Sequence, residues 1–114
     1  MTGIGLLESE VIPDEDLLYY NIHKNWIREG EVMPGVFRER GEEELKGMST
    51  DWCKYSSPQE CRNRARKPSD NGVVHFVTKE LRYLQLKVVH APFRNNPAHT
   101  NVKGIDVPGP MKTE

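Results

Sequence analysis

Apolar and polar positions along the chain fall into short runs separated by turn residues. This is the spacing of a small sheet with little helix. Residues 17–23, Leu-Leu-Tyr-Tyr-Asn-Ile-His, are rich in aromatic and branched side chains and predict a strand. Their apolar positions do not alternate cleanly, which predicts burial on both faces. Residues 72–77 and 86–90 predict two further strands, with a short helix over 78–84 between them and Thr78 as its N-cap. That connection is short for a parallel crossover, which needs about a dozen residues. The pattern therefore places the two strands in different sheets or at an angle. Residues 36–38 predict a short strand after the Pro34-Gly35 turn, and residues 100–105 a final edge strand.

The best-marked helix starts at Ser57. Ser57-Pro58-Gln59-Glu60 has the capping-box form, with proline at the first helical position, and Lys67-Pro68 stops the helix. Cys61 and Ala65 form its inward stripe. Pro13-Asp14-Glu15-Asp16 predicts a turn or a helix start. Ser49, Thr50 and Asp51 are good helix caps, so the pattern reads as a turn of helix that aims Trp52 inward. These elements make a single α+β domain over 13–106: a mixed or mostly antiparallel sheet, two short helices and long loops. Residues 1–12 read as a partly ordered lead-in, 40–44 as an exposed loop or a solvated helix start, and 107–114 as a flexible tail.

Composition narrows the picture. The 114 residues suit one domain, with 36% apolar and 29% charged residues and a modest core. Net charge is −1, but residues 1–50 carry eleven acids against five bases, and residues 51–94 nine bases against four acids. The halves attract each other within one fold, or the basic half offers a face to an anion or an acidic partner. A strong nucleic-acid binder carries an overall basic excess, which is missing. Two cysteines, Cys53 and Cys61, lie too far apart for a zinc clamp and read as reduced thiols. No apolar run reaches transmembrane length and no signal peptide is legible, so the expectation is a soluble cytoplasmic protein that does not engage a membrane.

Chemistry concentrates in residues 90–104, where two histidines, an arginine and three asparagines surround two prolines. His90 and His99 are candidates for an acid–base pair, because imidazole titrates near neutrality, and Arg94 for a bidentate anion clamp. Asp51 can orient a histidine. His23 and Trp26 form a turn after the first strand, where the indole closes a core or stacks on a base. Trp52, Asn96 and His99 complete the binding candidates; no metal site and no cofactor motif is legible.

The pattern Leu18-Tyr19, His23, Trp26, Gly30, Phe37, residues 47–52, then His90, Asn96-Pro97-Ala98-His99 and Gly104 resembles a group of small bacterial proteins. They share a His-x-x-Trp turn and an Asn-Pro-Ala-His loop. The likeness spans residues 17–104. It implies a bacterial-type cytoplasmic domain and brings no catalytic residue with it. The function expected first is a protein-interaction module, an accessory subunit of a larger bacterial system with a protein partner. The alternative is a small hydrolase or transferase directed at RNA or a nucleotide, using His90, His99 and Arg94.

Overall fold

A computed structural model describes residues 8–40 and 47–105. Its centre is a five-stranded, wholly antiparallel sheet in the order β5-β1-β4-β7-β6. The strands are β1 (Leu17–His23), β4 (Met48–Trp52), β5 (Asn71–Val77), β6 (Lys87–His90) and β7 (His99–Lys103). A separate hairpin joins β2 (Ile27–Arg28) to β3 (Glu31–Val32). Its two-residue turn has positive φ at both Glu29 (52°) and Gly30 (82°), the geometry whose twist matches paired strands. Two short helices, α1 (Pro58–Asn63) and α2 (Thr78–Tyr83), complete an α+β fold with long connections.

Register assigns every side chain to a face. Leu18 pairs with Trp52 and Phe76, Met48 with Val102, and Thr50 with Thr100. One face therefore carries Leu18, Tyr20, Ile22, Met48, Trp52 and Val102, all buried, and Ile12, Val36 and Leu81 close over it. The indole of Trp52 is 1% exposed, yet its N–H is satisfied by Asp16 Oδ2 at 2.9 Å. A buried donor left unpaired there would cost about 1–3 kcal/mol. The opposite face presents Tyr19, Asn21, Ser49, Asp51, His99 and Asn101. This division by two-residue periodicity is what positions the candidate site.

Several expectations change. Strand β1 is buried on alternate residues only, because its second face is the polar one. Residues 48–52 form a strand in the middle of the sheet rather than a capped helix: pairing to β1 and β7 overrides the local capping tendency of Ser49, Thr50 and Asp51. Residues 34–36 form a 3-10 turn where a strand was expected at 36–38. Strand β7 lies between β4 and β6, and the edges are β5 and β6. These two share one sheet and run in the same direction. Residues 78–86 join them by crossing the core face to the far edge, where α2 adds Leu81 to the core.

The capping box at Ser57 forms as expected, with Ser57 Oγ accepting from Glu60 N–H at 3.1 Å and Glu60 accepting from Ser57 N–H at 2.9 Å. Helix α1 stops at Asn63, short of the Lys67-Pro68 signal. Thr78 is the first helical residue rather than the cap, and its hydroxyl donates to Asp16 O at 2.8 Å. Pro13 to Asp16 is a turn, closed by Asp16 N–H on Pro13 O. Upstream, Ile12 is 1% exposed within the core while Val11 beside it is 88% exposed, and Ser9 and Glu10 are tied to His90 by hydrogen bonds. The expectations for residues 1–7, the acidic stretch 41–46 and the tail 106–114 lie outside the described residues. Among the described residues, no helix is long and apolar enough to cross a membrane.

Candidate functional site on the polar face of the sheet

Asp51 anchors the polar face. It is 6% exposed near the end of β4, the middle strand of the sheet, where its carboxylate accepts from Arg64 Nη1 at 2.5 Å and from Asn96 Nδ2 at 3.0 Å. Arg64 caps the C-terminal end of α1, so the capping box that starts the helix fixes the distance at which the guanidinium emerges. The same Nη1 donates to Ser56 Oγ at 3.1 Å. Asn96 reaches Asp51 because residues 93–96 close a tight turn, Phe93 and Asn96 exchanging both backbone hydrogen bonds at 3.0 Å.

His99 is the register partner of Asp51 on β7. It is 8% exposed, and the ring of Phe93 stacks on it at 4.3 Å between centroids. Nδ1 lies 2.9 Å from Ala91 O, an acceptor with no proton to give, so Nδ1 carries the hydrogen. In the neutral ring Nε2 is then a bare acceptor, and Ser49 Oγ lies 3.2 Å from it. Tyr19, Asn21, Arg40 and Cys61 complete a recess of about 300 Å³ with Ser49, Asp51, Arg64, Asn96 and His99. Burial, and then the negative charge of Asp51, push the Cys61 thiol far above its usual range, so it stays protonated.

His90 and His99 are not brought together. Thr100, the register partner of His90, faces the core, so the His90 side chain points to the core face and that of His99 to the polar face. Both His90 nitrogens are committed: Nδ1 accepts from Glu10 N–H at 3.0 Å, and Nε2 lies 2.8 Å from Pro97 O. His90 is a structural clamp packed beside Trp52 and Tyr55, and the expected acid–base pair does not assemble. Nor does Arg94 reach the recess. It is exposed in the two-residue tip of the 93–96 turn, and the arginines that line the recess are Arg40 and Arg64. Trp52 belongs to the core. Asp51, Asn96 and His99 do converge, while Ser49, Arg64, Tyr19 and Asn21 enter through strand register and α1 packing, which local sequence does not encode.

His23 and Trp26 line a second, larger cleft of about 700 Å³. It adjoins the first, because Tyr20, Asn21 and Arg40 border both. His23 Nδ1 caps the next turn by accepting from Asn25 N–H, and Lys24 pairs with Asp70 at 3.3 Å. Among the described residues, Arg40, Arg66 and Lys67 line this cleft with one acid, Asp70. Arg66 and Lys67 follow α1 in an exposed stretch and make no ion pair with any described residue. Among the described residues, no three His, Cys, Asp or Glu side chains cluster as metal ligands. No protein-family model matches the chain, and neither the curated proteins nor the solved structures contain a match.

Proposed function

We propose that this domain binds a phosphate-bearing small molecule of nucleotide type in the cleft between His23, Trp26 and the segment after α1. One observation carries the reading: three cationic side chains and an indole line a cleft of about 700 Å³ that shares Tyr20, Asn21 and Arg40 with the Asp51–His99 recess. Guanidinium and ammonium groups recognise phosphate by charge-assisted hydrogen bonds, and an aromatic ring offers a stacking surface for a base. The reading favours the nucleotide-directed alternative from the sequence, with Arg40, Arg66 and Lys67 in place of Arg94 as the anion-holding groups.

The test is calorimetric titration of the full chain with nucleoside mono-, di- and triphosphates, with inorganic phosphate and the unphosphorylated nucleoside as controls. Expected are saturable binding that weakens with added salt and a loss of about tenfold or more on replacing Arg66 by Ala. Absence of binding at millimolar nucleotide overturns the reading.

A second reading, protein docking, draws support from Tyr83 and Leu84, which are 83% and 63% exposed at the end of α2 beside the edge strand β6. A stoichiometric protein partner retained by the native chain and lost on Tyr83→Asp would favour it over the first.

A further inference from the structure

Ser49 Oγ lies 3.2 Å from His99 Nε2, a hydroxyl beside an imidazole nitrogen in an open recess. The Ser49 hydroxyl is exposed on β4 and its bond to His99 crosses to β7. The sheet here is already closed by backbone pairing of Ser49 with Asn101 and Asp51 with His99. His99 is held more firmly than a surface histidine. Phe93 covers one side of the ring, and Ala91 O fixes its tautomer, so that in the neutral form of the ring Nε2 offers a lone pair to the hydroxyl proton. Asp51, the register partner of His99, lines the same recess, with its two carboxylate oxygens bonded to Arg64 and Asn96. Arg64 lines the same recess, with its bonds to Asp51 and Ser56 both made through Nη1. That guanidinium brings a positive charge to the lining of the recess, the kind of group that stabilises a developing oxyanion.

We propose that Ser49 is a catalytic nucleophile and His99 its general base, acting on a small carboxylic ester that fits the 300 Å³ recess. In the first half, Ser49 Oγ bonds to the acyl carbon and its proton passes to His99 Nε2. The bond from that carbon to the leaving oxygen breaks, and the leaving oxygen takes the electron pair and then the proton from His99. In the second half, water adds to the acyl carbon and gives its proton to His99. The bond to Oγ breaks, Ser49 recovers the proton, and the carboxylic acid departs. No oxidant, metal or cofactor enters the balance. The assignment stands on bonds between β4 and β7 and does not need the basic cleft to be filled, so its failure and the failure of nucleotide binding are read separately.

The probe is an alkyl fluorophosphonate applied to the full chain, with the adduct followed by intact mass and located by peptide mass spectrometry. Expected is one adduct, on Ser49, that is absent from Ser49→Ala and forms at least about 100-fold more slowly in His99→Gln, the factor a general base supplies. Ser49 is exposed, so Ser49→Ala keeps the fold. If His99→Gln does not fold, the native chain is compared with the urea-unfolded chain, and an activated serine reacts only in the native one. No adduct, an adduct that persists in Ser49→Ala, or equal rates in native and unfolded chain overturns the assignment.

Discussion

At the scale of single residues, reactivity follows burial and charge more closely than residue type. The two thiols illustrate this. Cys61 is 2% exposed under Asn21, whose amide donates to its carbonyl at 2.6 Å, and the Asp51 charge adds to burial in keeping the thiol protonated. Cys53 is half-buried, with its sulfur accepting from Leu17 N–H. Thiolate is the reacting species, so iodoacetamide at pH 8 is expected to modify Cys53 first and Cys61 only after unfolding. Peptide mass spectrometry of native and denatured samples checks the order, and equal rates in the native protein would contradict the described burial. The histidines differ for a similar reason. His90 spends both nitrogens on backbone groups, whereas His99 spends one and turns the other to Ser49.

At the scale of elements, residues 8–12 act as a strap across the sheet edge. Ser9 Oγ donates to His90 O, Glu10 N–H donates to His90 Nδ1, and the Glu10 carboxylate takes Lys54 at 2.6 Å and the Tyr55 hydroxyl. Hydrogen bonds from Lys54 and then Tyr55 hold the Glu10 carboxyl below its ordinary value. A depressed carboxyl contributes stability that is present above its unfolded-state value and is lost as pH falls through the folded one. The strap is therefore expected to loosen at acid pH while the sheet persists. Hydrogen exchange that rises at Glu10 below about pH 4 and leaves β1 and β4 protected would show it. Simultaneous loss of protection in strap and sheet would show instead that they unfold as one unit. Ile12, buried in the core, sets the inner limit of the segment that can open.

At the scale of the whole molecule, the acidic and basic halves meet within the fold. Glu10 pairs with Lys54 and Asp14 with Arg82, each joining the acidic N-terminal half to the basic one. These pairs are exposed and screened by salt, so they orient the halves more than they hold them together. Raising the salt from about 0.05 to about 1 M, which shortens the screening length roughly four- to fivefold to about 3 Å, is expected to move Tm by only a few degrees. A collapse of Tm under the same change would show that the charge asymmetry, and not the core around Trp52, sustains the fold. Arg66 and Lys67, which make no ion pair with any described residue, line the larger cleft and add nothing to these links between the halves.

Sequence by itself determined what short-range physics controls. The turn at residues 13–16, the capping box at Ser57, the aromatic-rich strand β1 and the brief helix after β5 all rest on neighbours a few positions apart. So did the choice of Asp51, Asn96 and His99, since a stiff polar loop and a lone acid beside a tryptophan are visible as residues. Tertiary structure decided the rest. The strand identity of 48–52, the interior place of β7 and the separation of His90 from His99 come from hydrogen bonds between distant segments. Side chains alternate along a strand, so one step of register decides which histidine faces the core and which meets Ser49, and no local pattern of residues carries that step.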